Sequence, residues 1–109
     1  MKVKKLTPEI IKEIVKRIVS TSHPEKIILF GSHANGIPSG DSDVDLLVIK
    51  RRVGSKIEEY TRIRKSLKGI RIPMDIIVIN SKEYDFYSRN WINSVMAEAK
   101  ERGIILYGD

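Results

Sequence analysis

The 109-residue sequence contains no cysteine. That absence excludes a disulfide framework, a thiolate metal site and a cysteine nucleophile, and it fits a cytoplasmic location. Nor does any unbroken apolar stretch approach the roughly 20 residues of a membrane span. The basic opening, Met1 to Lys5, is followed by Ile10, Ile11, Ile14, Val15 and Ile18, interrupted by Lys12, Glu13, Lys16 and Arg17. Such interruption is the pattern of an amphipathic helix rather than a signal peptide. Internal repeats, low-complexity tracts and linkers are also missing, and the length fits one domain without room for a second.

What is present is an ordinary globular balance, 41% hydrophobic and 31% charged, with 20 Lys+Arg against 14 Asp+Glu for a net charge of +6. Two readings of that excess stand side by side. It is either a solvated surface or a positive field that attracts a polyanion: a nucleotide, a nucleic acid or an acidic partner.

Periodicity gives the elements. Thr7 as N-cap with Pro8 at the first helical position predicts a helix to about Val19, ended by Ser20 to Pro24. Ile27 to Phe30 is a short apolar run expected as a strand buried on both faces. Gly31 to Ser42, punctuated by Gly36, Pro38 and Gly40, reads as loop. Val44 to Ile49 makes a second strand, closed by Lys50, Arg51 and Arg52, expected as a solvated terminus or as a contact for a partner or nucleic acid. Ser55 is expected to cap a helix bearing Ile57, Tyr60, Ile63 and Leu67 that stops at Gly69. Pro73 to Ile79 is a third strand. Ser81 is expected to cap a short helix, followed by one around Trp91 to Arg102 with Gly103 as its stop, and by an edge strand at Ile104 to Tyr107. The order predicts an α/β (α+β) domain whose mixed sheet of three to four strands carries helices packed on it.

The chemistry lies in three carboxylates. Asp43 and Asp45 stand two apart where the second strand begins, so both side chains take the same face while Val44 takes the other. Carboxylates held side by side repel unless something positive binds between them. Asp75 enters the third strand in the same way. Gly31 and Ser32 directly follow the first strand, where backbone N–H groups and a hydroxyl can cradle a phosphate. This turn ends strand one and the Asp pair begins strand two, so the two meet only if those strands run antiparallel.

Two other motifs fail. Gly31 to Gly36 has the opening spacing of a P-loop, but Ile37-Pro38 stands where Lys-Ser/Thr is needed. Asp41 to Asp45 starts like an EF-hand loop, but Leu46 replaces the required Gly and Arg52 the final Glu.

What remains is Gly-Ser, ten residues, Asp-x-Asp, then an Asp in a later strand. Residues Phe30 to Val48 and Met74 to Val78 in this pattern resemble the minimal nucleotidyltransferases (MNT) of the DNA polymerase beta superfamily. The resemblance implies a single nucleotidyltransferase domain over residues 1–109. It implies Asp43, Asp45 and Asp75 as catalytic metal ligands, with Asp43 and Asp45 holding two Mg²⁺ ions about 3.5–4 Å apart. It also implies Asp75 as the ligand of the catalytic ion that helps deprotonate the acceptor hydroxyl, and Gly31 and Ser32 as holders of the nucleoside triphosphate. His33 departs from the Arg of many relatives.

Minimal members resemble antitoxins of toxin-antitoxin pairs. The implied reaction is AMP transfer from ATP to a tyrosine of a HEPN ribonuclease toxin, with the acceptor held by that partner or by a second copy of the chain. Two alternatives stay open: neutralisation of the HEPN partner by binding alone, and modification of a nucleic acid. Among the remaining residues, His23 is expected in a solvated loop. Lys65, Lys68 and Arg71 are expected on a polar helix face or a polyanion-binding edge. Tyr84, Phe86, Tyr87 and Trp91 are expected to pack the last helices or to form a patch for a protein partner.

Overall fold

The computed structural model describes residues 6–31, 34, 43–90 and 95–108. Its elements run α1 (Pro8–Ser22), β1 (Lys26–Phe30), β2 (Val44–Lys50), α2 (Lys56–Ser66), β3 (Met74–Asn80), α3 (Ser81–Asn90), α4 (Val95–Arg102) and β4 (Ile104–Tyr107). The strands form one mixed sheet in the order β3-β2-β1-β4. β1 is antiparallel to both β2 and β4, whereas β2 and β3 run parallel with α2 connecting them. No helix among the described residues is long and apolar enough to cross a membrane.

Both faces of the sheet are covered, which is why β1 and β2 are continuous apolar runs. Ile27 and Leu29 of β1, and Val44, Leu46 and Val48 of β2, join Ile14, Ile18, Ile63 and Leu67 in the core under α1 and α2. Ile28 and Phe30, with Leu47 and Ile49, turn to the opposite face and pack with Ile79, Tyr84 and Ala99. This alternation puts Asp45 on the second face with Leu47 and Ile49.

The caps follow the expected chemistry with two exceptions. Thr7 accepts from the Ile10 N–H at 3.2 Å, and Ser55 accepts from the Glu58 N–H at 3.2 Å. Ahead of α3, however, Asn80 and not Ser81 is the cap. Its side-chain oxygen accepts from the Glu83 N–H at 2.8 Å, while Glu83 accepts from the Asn80 N–H at 3.1 Å, a reciprocal capping box. The Ser81 hydroxyl donates instead to the Glu25 carboxylate and the Lys50 carbonyl. The second exception is α1, which runs past Val19 to Ser22 and ends in a left-handed His23 (φ 50°). The extra turn persists because Ser22 is buried and donates its hydroxyl to Glu59.

Helix α2 also corrects an expectation. Ile63 and Leu67 are buried, but Ile57 is 79% exposed, Tyr60 is exposed, and Glu59 takes the inward position at 5%. Glu59 accepts from Lys50 Nζ at 3.0 Å and pairs with Arg62 at 3.2 Å. Lys50 is therefore not a solvated strand terminus, while Arg51 and Arg52 are exposed. Of the aromatic group, Tyr84 packs in the core. Phe86 is 56% exposed and meets Tyr87 edge to face, and Trp91 lies outside the described residues.

Candidate active site

Two hydrogen-bonded registers bring the candidate residues to one end of the sheet. Antiparallel pairing of β1 with β2 sets Phe30 opposite Asp45, so the chain leaves β1 beside the carboxylate. Parallel pairing of β2 with β3 sets Asp75 beside Asp45. The antiparallel condition that lets the Gly31 turn meet the Asp pair is thus fulfilled. Directly opposed residues on neighbouring strands share a face, so the Asp45 and Asp75 side chains project to the same side from strands roughly 4.8 Å apart.

Asp75 is exposed and Asp45 half-buried. Asp43 lies exposed one residue ahead of β2, where the Val44 N–H donates to the Pro73 carbonyl at 2.9 Å and ties the starts of β2 and β3 together. The structure thus places Asp45 and Asp75 side by side, with Asp43 at the same end. No group of three His, Asp or Glu side chains fit to hold a metal ion occurs among the described residues.

Gly31 begins the turn in a left-handed conformation (φ 78°), and the Ala34 N–H donates back to its carbonyl at 3.2 Å. A β-carbon built on Gly31 would collide with Asp45 Oδ2 and lie 3.1 Å from its carboxyl carbon. The backbone of the turn therefore rests directly against the carboxylate, an approach open only to glycine. Ser32 and His33 lie outside the described residues. His23 is an exposed helix cap and joins no site.

The donor set matches a hard divalent cation, which takes carboxylate oxygens and leaves its remaining positions to water and phosphate. Gly31→Ala is expected to cost about 1–2 kcal/mol through its left-handed backbone alone. It should also displace the Asp45 carboxylate. Chemical denaturation and Mn²⁺–ATP titration would measure the two effects, and a variant matching the parent in both would show that the close approach is dispensable.

A family description, "Polymerase beta, Nucleotidyltransferase", matches residues 10–107. The chain belongs to the polymerase beta nucleotidyltransferase family. No curated protein matches it in sequence. In fold, this family member is similar to a protein of Sulfolobus solfataricus assigned to the nucleotidyltransferases. That pair is 20% identical over 92% of this chain and 78% of the other, with a TM-score of 0.63. It is similar to a toxin-antitoxin structure containing AMP-PNP (20% identical, 91% and 73% covered, TM-score 0.65). A third likeness is to the complex of a tri-AMPylated Shewanella oneidensis HEPN toxin with an MNT antitoxin (18% identical, 93% and 68% covered, TM-score 0.53). At these identities the likeness is one of nucleotidyltransferase fold, the mixed four-stranded α+β sheet described above.

One contribution near the site was not visible in the sequence. Arg64 of α2 reaches across to the Met74 carbonyl at the start of β3. Tyr60 and Arg64, spaced one helical turn apart, were the available signal, but nothing in their spacing names the strand they serve.

Proposed function

We propose that this chain transfers AMP from ATP to a hydroxyl of a protein partner, a tyrosine of a HEPN-type toxin, in a Mg²⁺-dependent reaction, and so acts as an antitoxin. The observation that carries the reading is the register of Asp45 beside Asp75, with the Asp45 carboxylate against the Gly31 backbone. Asp45 and Asp75, with Asp43 at the same end of the sheet, would hold the cation. The Gly31 turn holds the phosphates, with Ser32 assigned to it from the sequence pattern. Bound Mg²⁺ neutralises charge on the triphosphate and favours deprotonation of the acceptor hydroxyl.

Asp75, exposed at the sheet end, is open to an incoming hydroxyl and takes its proton. The hydroxyl oxygen bonds the α-phosphorus as pyrophosphate leaves. Positioning and charge neutralisation account for most of the acceleration in such a transfer. The net charge of +6 favours both a triphosphate and an acidic partner surface. Similarity in fold to the AMP-PNP-containing and AMPylated-toxin structures supports the choice of nucleotide and partner.

The test incubates the chain with α-labelled ATP, Mg²⁺ and a HEPN-type toxin. Label is expected on a toxin tyrosine, and Asp43→Ala should abolish it while leaving the chain folded. Inhibition of the toxin without label would reassign the chain as an antitoxin acting by binding alone. Label on RNA in place of protein would reassign the acceptor.

A further inference from the structure

The start of β3 is gripped from both sides. On its inner side, the Val44 N–H donates to the Pro73 carbonyl at 2.9 Å. β3 is an edge strand, so some of its backbone groups face away from the sheet and need another partner. The Met74 carbonyl finds one in Arg64 Nη1, which donates to it at 3.1 Å. Met74 is the residue before Asp75, so both peptides leading into that carboxylate are tied.

Arg64 is itself held. Its neighbours Ile63 and Leu67 fix α2 in the core, and its guanidinium lies over the Tyr60 ring, 5.8 Å from the centroid. A planar guanidinium can stack on a ring with its face while donating from its edge, which an ammonium group cannot do.

We propose that Arg64 is a positioning residue of the site: it clamps the Met74–Asp75 peptide and so sets the direction in which the Asp75 carboxylate is presented. The inference rests on the reading of Asp75 as a cation ligand given above. Partners that orient a ligand from outside its coordination sphere are tuned for the bound ion rather than for the fold, so their loss shows in affinity more than in stability.

The experiment compares wild type with Arg64→Ala, Arg64→Lys and Lys65→Ala, the last removing one positive charge from the same helix. It reads amide hydrogen exchange over residues 74–76 in the nucleotide-free chain, Mn²⁺–ATP affinity and Tm. Arg64→Ala should speed exchange over 74–76 and weaken Mn²⁺–ATP binding by roughly tenfold. Its Tm should stay within about 3 °C of wild type. Arg64→Lys should recover part of both losses, and Lys65→Ala should change neither.

Wild-type exchange in Arg64→Ala would overturn the clamp. Faster exchange with undiminished Mn²⁺–ATP affinity would overturn its positioning role, and equal losses in Lys65→Ala would assign the effect to the general positive field instead. If wild type binds no Mn²⁺–ATP, the ligand reading of Asp75 falls and the inference falls with it. Faster exchange in Arg64→Ala would then show that the fault lies in the ligand reading rather than in the clamp.

Discussion

Asp45→Asn and Asp75→Asn should each lower nucleotidyl transfer by about a thousandfold or more, equivalent to ~4 kcal/mol of lost transition-state stabilisation. The substitution preserves shape and removes only a charge and an anionic oxygen, so the expected loss is chemical. Asp75 is exposed and Asp45 half-buried, and Asp75 stands beside Asp45 in the parallel register. At the exposed Asp75, deleting one of two adjacent like charges relieves repulsion, so Tm is expected to move by no more than about 3 °C. Single-turnover assays with α-labelled ATP, run alongside thermal unfolding, separate the two quantities. A variant retaining a tenth of the parent's rate would remove that carboxylate from the proposed role. A variant that simply unfolds would show it to be structural.

The fold was largely readable because its two central strands, β1 and β2, are buried on both faces. Ile27 to Phe30 and Val44 to Ile49 carry apolar residues at consecutive positions, a pattern that needs cover above and below. Thr7 and Ser55 announced two helix starts through the same side-chain-to-backbone bond they make in the structure. At the site, the two-residue spacing of Asp43 and Asp45 and the position of Gly31 at a strand end were legible. The pairing that makes them neighbours is a tertiary fact. An antiparallel β1–β2 and a parallel β2–β3 had to be supplied before Phe30, Asp45 and Asp75 could line up.

The misreadings share one cause, a polar group whose partner comes from a distant element. In α2 the buried face runs through Glu59, Ile63 and Leu67, spaced i, i+4 and i+8, but the leading position holds a charge. Hydrophobic periodicity therefore selected Ile57 and Tyr60 in its place. Lys50 looked solvated because its acceptor lies nine residues away on α2, and Ser22 looked like a helix terminator because its acceptor is the same carboxylate. Within α1 itself, nothing marks Ser22 as buried.

That shared carboxylate gives the second large effect. Glu59→Ala is expected to cost about 3 kcal/mol, lowering Tm by more than about 10 °C. It would strand the Ser22 hydroxyl and the Lys50 ammonium group in a setting where Glu59 is 7% and Lys50 18% side-chain exposed. Burial alone would raise the pKa of Glu59, but hydrogen bonds from Ser22 and Lys50 outweigh it and hold the group below its ordinary value. A carboxylate with a lowered folded pKa contributes stability above its unfolded pKa, and that contribution is lost as pH falls through the folded one. The stability gap between wild type and Glu59→Gln should therefore be level at neutral pH and shrink as the solution is acidified below the ordinary carboxylate range. A gap unchanged by acid would mean that packing, not charge, makes the difference.

Converting both partners, as in Lys50→Met with Glu59→Leu, should recover much of the loss, because the cost of a broken buried pair lies mainly in the charge left behind. Lys50 stands five residues along β2 from Asp45, roughly 16 Å at strand rise. The double variant should accordingly bind Mn²⁺–ATP as the parent does. The same helix thus serves two ends of the sheet: Glu59 anchors α2 where the strands finish, and Arg64, five residues on, reaches the start of β3 where the carboxylates stand. Changes at Glu59 should appear in unfolding and changes at Arg64 in ligand binding, and a Glu59 variant that weakened binding while still folded would show that the two ends are mechanically coupled through α2.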